Sequence, residues 1–108
     1  MPGGSVADVI QSFVAERDWA QFHSAENLAK SIAIEAGELL ECFQWSSSAP
    51  RERILDELAD VLTYCHLLAL SLEADPDQIV LGKLAVSRSK YPVDKARGRS
   101  EKYDHLPD

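Results

Sequence analysis

Apolar side chains recur every three or four residues along several stretches of this chain, which is the spacing of amphipathic helices. Ser5, followed three residues later by Asp8, is a typical helix cap, and the apolar repeat after it predicts a first helix over 6–17. Ser24 is a second cap, and the repeat that follows predicts a helix ending near Trp45. The N-terminal half of the chain therefore reads as two helices joined by a loop.

Two more helices are predicted in the C-terminal half. The third is predicted over 50–73, after a short serine-rich connector that would make it an antiparallel neighbour of the second. Asp75 before Pro76 predicts the start of the fourth, which we expect to end near Lys90. Residues 91–108 are expected to form a basic tail that orders against the body or a ligand. We predict one all-α domain over 1–108, built as a four-helix bundle.

Helical-wheel positions predict which side chains of the two central helices face the core. For the second helix they are Leu28, Ala29, Ile32, Ala36, Leu39, Leu40 and Phe43. For the third helix they are Ile54, Leu58, Val61, Leu62, Cys65, Leu68 and Leu72. The third helix also carries apolar residues round its back, so we expect another copy of the chain to complete the bundle.

Two pairs of carboxylates lie three residues apart in these central helices. Glu35 and Glu38 form the first pair, and Glu57 and Asp60 form the second after eighteen intervening residues. A spacing of three puts both side chains of a pair on one helix face, so antiparallel packing would bring four carboxylates together. Four carboxylates so close together repel one another strongly unless a cation lies among them, and oxygen ligands favour Mg²⁺ or Mn²⁺. The two pairs therefore predict a metal site suited to phosphate chemistry. The alternative is that both pairs lie on solvated helix faces.

Charge is divided unevenly along the chain, whose net charge is -7. Residues 1–82 carry four Lys or Arg against fourteen Asp or Glu, a net of -10, whereas 83–108 carry seven against four, a net of +3. An acidic body lacks the basic footprint that nucleic acid needs, so we expect no nucleic-acid polymer as a partner. An acidic metal centre beside a basic segment suits a small polyanion bound with its metal.

Length and apolar runs limit the class of protein further. A chain of 108 residues builds one modest core, which oligomerisation would help to bury. No apolar run is long enough to cross a bilayer, and residues 1–5 lack the features of a signal peptide. Cys42 and Cys65 fall among apolar residues, which favours buried free thiols in a reducing compartment. We therefore expect a cytoplasmic homo-oligomer without a membrane segment.

Aromatic and imidazole groups interrupt the helical pattern between the first two helices. Trp19, Phe22 and His23 lie in this predicted loop, where they would either plug the core or form an aromatic pocket for a planar ligand. His66, in the third helix, lies away from the acidic face. We interpret it as a satisfied core or interface histidine rather than a catalyst.

Several of these features occur together in one known family. The segments that carry the likeness are Glu16-Arg-Asp-Trp-Ala-Gln-Phe-His23, Asn27-Leu28, Gly37-Glu-Leu-Leu-Glu-Cys-Phe-Gln-Trp45, Asp56-Glu-Leu-Ala-Asp-Val61, Lys90-Tyr-Pro92 and Lys102-Tyr103. In this order they resemble the all-α nucleoside triphosphate pyrophosphohydrolases of the MazG-like superfamily, above all the dCTP pyrophosphatase branch. The resemblance covers most of residues 13–106.

The resemblance implies an activity and a set of residues. Such enzymes cleave the bond between the α- and β-phosphates of a nucleotide, here dCTP or a modified dCTP, and release the monophosphate and pyrophosphate as house-cleaning of the nucleotide pool. Water attack on a phosphate needs an orienting or deprotonating carboxylate, which we expect to be Glu38 or the neighbouring ligand Glu35. The resemblance implies Mg²⁺, with Mn²⁺ as the other candidate ion, on Glu35, Glu38, Glu57 and Asp60. It implies a homo-oligomer, dimer or tetramer, in which neighbouring subunits complete each site. The substrate contacts it implies are Trp19, Phe22, His23 and Trp45 around the base, Tyr64 near the sugar, and Asn27, Lys83, Arg88, Tyr91, Arg97, Lys102 and Tyr103 as further phosphate and pocket contacts.

Other interpretations stay open at this point. The chain departs from the dCTP branch at Ile10 and Ser87, which leaves the substrate open. A di-iron bundle also places acids on facing helices, but its usual Glu-x-x-His spacing is missing. A phosphoribosyl-ATP pyrophosphohydrolase shares the fold and the acidic pairs, whereas the aromatic residues near Trp19 and Trp45 favour a nucleobase pocket. A non-catalytic helical nucleotide-binding or interaction module of the same fold is the alternative from a different class.

Overall fold

The computed structural model describes residues 4–44 and 49–106, and the regular structure in these ranges is helical throughout. The helices are α1 Val6–Glu16, α2 Ala25–Gln44, α3 Arg51–Ser71, α4 Pro76–Lys90 and α5 Val93–Ala96. Short 3₁₀ turns occupy Ala20–Phe22 and Tyr103–His105. The predicted all-α fold is confirmed, and the four predicted helices all form within one or two residues of their expected bounds.

Side-chain caps start the first two helices as the sequence predicts. The Ser5 hydroxyl accepts a hydrogen bond from the Asp8 N–H over 3.1 Å. The Ser24 hydroxyl accepts one from the Asn27 N–H over the same distance of 3.1 Å. Each bond satisfies a backbone donor that the first turn of a helix leaves without an intrahelical partner, so each cap fixes where its helix begins.

Helix α1 ends in a left-handed turn formed by Asp18 rather than by the glycine that is usual at such a position. Asp18 has a left-handed φ of 54°. Its N–H donates to the Ala15 carbonyl over 3.2 Å, and the Trp19 N–H donates to the Val14 carbonyl over 3.1 Å. These two bonds define a Schellman motif, which satisfies the last carbonyls of the helix and turns the chain back over it.

The chain forms two compact units that divide after Pro76. In the first unit, α3 packs against both α2 and α1. Only six residues separate α2 from α3, so the two helices run antiparallel as predicted. The core of this unit is small: Val14, Leu28 and Leu67 are buried together, and Ile10, Tyr64 and Leu68 pack against them.

The face that α2 turns toward its neighbours differs from the predicted one. Leu28 is buried and Ile32 and Leu39 are partly buried, as expected. Leu40 and Phe43, however, are 65% and 57% exposed, and Ala29 and Ala36 are exposed as well. The apolar arc of α2 is wider than the strip that α1 and α3 cover. The contact is therefore rotated toward one edge of the arc, and this edge carries Glu35.

Helix α3 shows the same rotation. Ile54, Val61 and Leu68 are partly buried, whereas Leu62 is 52% exposed and Leu58 is 38% exposed. Two more members of the predicted stripe are exposed, namely Cys65 and Leu72. The expectation of two buried thiols is therefore wrong for Cys65, while Cys42 is buried. Both central helices thus leave part of their apolar arc uncovered within this chain.

The second unit contains α4, α5 and the second 3₁₀ turn. Part of the segment expected to be a tail is helical, since α5 forms at Val93–Ala96 after Pro92. The ring of Tyr91, which precedes α5, meets the ring of Tyr103, which follows it, edge to face with centroids 6.2 Å apart. Among the described helices of both units, none combines the length and apolar composition that a bilayer-spanning segment needs.

Candidate metal centre

Three carboxylates converge where α2 and α3 face each other. One carboxylate oxygen each from Glu35, Glu38 and Glu57 lies within 4.8 Å of the other two. Glu35 and Glu57 are partly buried, because each lies on the edge of its helix that turns inward, whereas Glu38 is exposed. The structure therefore brings together three of the four predicted ligands, from both predicted pairs.

The electrostatics of the cluster reflect crowded negative charge. Partial burial raises the pKa of the Glu35 carboxyl, and the charges of Glu38 and Asp60, together with a hydrogen bond to Glu38, raise it further. Burial also raises the pKa of Glu57, followed by the charges of Glu38 and Asp60, while Arg53 lowers it. Crowded acids that hold protons more tightly than usual are acids that a cation would stabilise in their charged form.

The fourth predicted ligand, Asp60, lies close enough to influence the cluster. It is exposed and stands outside the group of three. Its charge nevertheless ranks among the causes that raise the pKa of both Glu35 and Glu57. Its predicted role as a ligand stays a prediction.

The donors fit a hard divalent cation. Oxygen Oε2 of Glu57 is buried and has no hydrogen-bond partner among the residues that the structure describes. A buried carboxylate oxygen without a donor is costly unless it meets a positive charge. The three clustered groups offer only carboxylate oxygens, which is the ligand set of Mg²⁺ or Mn²⁺ rather than of zinc. Glu35, Glu38 and Glu57 are therefore suited to holding such an ion.

The aromatic residues between α1 and α2 lie on the surface of the chain. Trp19 and Phe22 are 44% and 64% exposed, and His23 is partly buried. The interpretation of Trp19 and Phe22 as core plugs is therefore wrong, and their predicted contact with a planar ligand stays a prediction. The indole of Trp19 contacts the Phe13 ring edge to face, with centroids 5.6 Å apart.

Sequence reasoning did not single out the residues that support Trp19. The Arg17 guanidinium lies 3.8 Å from the Phe13 ring centroid. Phe13 and Arg17 are four residues apart, so they lie on one face at the end of the helix. This spacing could have predicted the contact between their side chains. The backbone turn at Asp18 brings Trp19 back to Phe13. It could not be predicted from the sequence, because such a turn normally has glycine where this chain has aspartate.

The other predicted contacts of the first unit have different settings. Asn27 is exposed in the first turn of α2, whereas Tyr64 packs against the buried cluster of α1, α2 and α3. Trp45 lies outside the described residues. His66 keeps a buried Nδ1 that finds no partner within 4–44 and 49–106, so the expectation of a satisfied histidine is not met there.

The remaining predicted contacts belong to the second unit. Tyr91 is partly buried, and the other five are exposed: Lys83, Arg88, Arg97, Lys102 and Tyr103. The Lys90 ammonium lies 4.7 Å from the Tyr103 ring centroid. Arg99, which the sequence did not single out, donates two hydrogen bonds to the Glu101 carboxylate. The contact roles of the six predicted residues stay predictions.

Known proteins share both the sequence pattern and the fold. dCTP pyrophosphatase 1 from Homo sapiens and from Mus musculus is 43% identical over 105 aligned residues, which cover 88% of this chain and 62% of each relative. The chain thus spans about 62% of the length of these curated relatives. The crystal structure of a pyrophosphatase from Archaeoglobus fulgidus superposes with a TM-score of 0.71 at 36% identity, covering 79% of this chain and 87% of that one.

The family assignment follows from a match to most of the chain. Residues 30–106 fit the MazG-like family. This region contains both acidic pairs and reaches into the second unit, so the match includes the clustered carboxylates as well as the helices that carry them. With its helical fold and the convergence of α2 and α3 at the acidic cluster, this chain belongs to the MazG-like family.

Proposed function

We propose that this protein is a Mg²⁺-dependent nucleoside triphosphate pyrophosphohydrolase. The proposed reaction cleaves the bond between the α- and β-phosphates of dCTP or a modified dCTP, and the products are the monophosphate and pyrophosphate. The observation that carries the proposal is the convergence of Glu35, Glu38 and Glu57 within 4.8 Å. One buried carboxylate oxygen of this cluster has no donor among the described residues. The relatives named as dCTP pyrophosphatases support the choice of substrate.

Phosphoryl transfer requires mainly that the reacting groups are positioned and that the negative charge of the phosphates is neutralised. Mg²⁺ bound by these carboxylates, or Mn²⁺ in its place, would offset the negative charge of the phosphate oxygens. Glu38 is the proposed group that orients or deprotonates the attacking water, because it is the exposed member of the cluster. Glu35, a partly buried member of the same cluster, is the second candidate.

Base recognition is assigned to aromatic residues of the first unit. Trp19 and Phe22 present exposed ring surface, as a stacking platform requires. His23 and Trp45 are proposed to complete the enclosure of the base, with Tyr64 near the sugar. The further phosphate and pocket contacts are proposed to be Asn27, Lys83, Arg88, Tyr91, Arg97, Lys102 and Tyr103. The net charge of +3 over 83–108 supports phosphate contacts for the basic residues of this group.

The protein is proposed to act as a homo-oligomer in the cytoplasm. The support for an oligomer is the apolar surface that α2 and α3 leave exposed, including Leu40, Phe43 and Leu62. The support for the compartment is the pair of free thiols, Cys42 and Cys65, which suit a reducing environment.

The decisive experiment is product analysis across nucleotides. Wild-type protein is incubated with dCTP, 5-methyl-dCTP, the other deoxynucleotides and CTP, with Mg²⁺, Mn²⁺ or EDTA. Anion-exchange chromatography separates monophosphate and pyrophosphate from diphosphate and phosphate. We expect monophosphate and pyrophosphate in equal amounts, fastest from a cytosine nucleotide, and no reaction in EDTA.

Two outcomes would change the proposal. Diphosphate and phosphate as products would mean cleavage at the β–γ bond, which contradicts the proposed reaction. An absence of products from every nucleotide with either metal ion would favour the non-catalytic nucleotide-binding or interaction module. Calorimetric titration with dCTP would then show whether this module still binds nucleotide.

A further inference from the structure

The end of α1 holds Trp19 in a defined place. Asp18 adopts a left-handed φ of 54°, and the Trp19 N–H donates to the Val14 carbonyl over 3.1 Å. This turn folds the chain back, so the indole meets the Phe13 side chain in the last turns of the helix. The ring centroids are 5.6 Å apart and the planes cross at 74°, which is an attractive edge-to-face contact.

Arg17 holds Phe13 in turn. Its guanidinium carbon lies 3.8 Å from the Phe13 ring centroid, and Nη1 donates to the Phe13 carbonyl over 3.0 Å. The same guanidinium carbon lies 6.0 Å from the Trp19 ring. The Arg17 guanidinium therefore contacts the ring and the backbone carbonyl of Phe13 and lies near the indole of Trp19. These interactions favour a single arrangement of the three side chains.

Order and exposure occur together in this arrangement. Phe13 and Trp19 are each 44% exposed. A free surface side chain loses conformational freedom when a ligand immobilises it, and that loss weakens binding. An indole already held by its neighbours loses less. The arrangement therefore offers a planar ligand an open surface whose orientation is set beforehand.

We infer that Phe13, held by Arg17, is a positioning residue for Trp19 in the binding of the nucleotide base. This inference rests on the proposed function, which places Trp19 against the base. Phe13 acts through Trp19, so its loss weakens base binding and leaves the phosphate chemistry at the acidic cluster unchanged. The effect therefore belongs to KM rather than kcat, because the base is held equally in the ground and transition states.

Four variants separate this role from a general structural one. Phe13→Leu removes the ring and keeps most of the apolar volume, and Phe13→Tyr keeps the ring. Arg17→Met removes the guanidinium and keeps the length of the side chain. Val9→Ala is the matched control, because Val9 lies one turn earlier on α1 and is 60% exposed.

Two readouts are measured on each variant. The first is steady-state pyrophosphate release from dCTP, and the second is the ¹⁹F NMR resonance of Trp19 in protein labelled with 5-fluorotryptophan, assigned by its loss in Trp19→Phe. For Phe13→Leu we expect KM to rise about three- to tenfold, with kcat within about twofold of wild type. For Arg17→Met we expect KM to rise about two- to threefold. Both variants should shift the Trp19 resonance, whereas Phe13→Tyr and Val9→Ala should match wild type in both readouts.

The results that overturn the inference are distinct from those that overturn the proposed function. An unchanged Trp19 resonance in Phe13→Leu would show that Phe13 does not position the indole. A shifted resonance with an unchanged KM would show that the position of the indole does not matter for the nucleotide. If wild-type protein releases no pyrophosphate at all, the proposed function fails, and the role of Phe13 in nucleotide turnover fails with it. The resonance alone would then still decide whether Phe13 holds the indole.

Discussion

Glu57 shows how one side chain can be unsuited to its surroundings without a ligand. Most carboxylates in the described part of the chain are exposed. Glu26, for example, pairs with Lys30 over 2.7 Å on the surface of α2. Glu57 instead turns inward, with a buried Oε2 that has no donor within the described residues. Arg53 lowers its pKa, but burial and the neighbouring acids raise it more. This imbalance is what a bound cation would correct.

The first prediction concerns the role of Glu38. Glu38→Gln removes the proposed acceptor of the water proton and keeps the size of the side chain. We expect kcat for pyrophosphate release to fall by at least about 100-fold, because general base catalysis contributes 10²–10⁴. Nucleotide binding, measured by calorimetry, should persist.

The matched control for this variant is Glu41→Gln. Glu41 is an exposed residue of the same helix, three positions further on, and stands outside the cluster of three. Its substitution should leave kcat within about twofold of wild type. Near-normal turnover by Glu38→Gln would remove Glu38 from the mechanism and leave Glu35 as the candidate.

The second prediction concerns pH and metal-free stability. The folded protein holds the protons of Glu35 and Glu57 more tightly than the unfolded chain, because their pKa values are raised. It therefore binds more protons than the unfolded chain between the ordinary glutamate pKa of about 4.3 and the raised values. Across this interval the contribution of these groups to the free energy of unfolding falls as pH rises. Urea unfolding in EDTA at several pH values measures it.

Glu35→Gln tests this sign directly. The variant removes one of the crowded charges, so we expect it to be more stable than wild type in EDTA at about pH 7 and to lose this advantage at about pH 4. Added Mg²⁺ should stabilise wild type more than the variant, because a ligand stabilises the state that binds it. A wild-type protein that gains stability relative to Glu35→Gln as pH rises in EDTA would contradict the prediction.

At the level of elements, α3 ends in the same motif as α1. Glu73 has a left-handed φ of 54°, its N–H donates to the Leu70 carbonyl over 3.0 Å, and the Ala74 N–H donates to the Ala69 carbonyl over 2.9 Å. A side chain in this conformation is strained by about 1–2 kcal/mol, which glycine avoids at a smaller cost in chain entropy. The helix therefore stops here at the expense of some stability.

The third prediction follows from this helix end. Glu73→Gly should raise the free energy of unfolding by about 0.5–1 kcal/mol, the strain relieved minus the added entropy of the unfolded chain. Urea unfolding of metal-free protein measures the change. Glu73→Ala is the control, and because alanine suffers the same strain it should differ little from wild type. A glycine variant no more stable than the alanine variant would show that the turn is not strained.

Caps and breakers made the helix bounds predictable, whereas the helix faces were not. Ser5, Ser24 and Pro76 act on the adjacent turn, so a sequence reader sees their effect directly. Which part of a wide apolar arc is covered depends on how other helices of the chain pack against it. The helical wheel does not contain this information, and for this reason Leu40 and Leu62 were wrongly predicted to lie in the core. The carboxylate pairs were identified because a spacing of three fixes their shared face. Their mutual distance and the orphaned oxygen of Glu57 needed the structure.

At the scale of the molecule, this error in the helix faces points to a missing neighbour. Leu40, Phe43 and Leu62 are each more than half exposed in the chain alone. Burying a leucine side chain fully stabilises a protein by about 1.5–3 kcal/mol, so a second copy covering several such residues would add substantial stability. Predicted core positions that the chain itself leaves open are suited to an interface between copies.

The last prediction tests this interface. We expect wild-type protein to sediment as a dimer or larger oligomer at micromolar concentrations, and Leu62→Glu to weaken the association at least about tenfold, because it would bury an unpaired charge. Val6→Glu is the control, since Val6 is 60% exposed in the first turn of α1, where an acid is favoured by the helix dipole. Sedimentation velocity over a dilution series gives the association constant of each variant. A monomeric wild type would show that the open apolar faces of α2 and α3 do not join copies, and undiminished association of Leu62→Glu would place the interface away from Leu62.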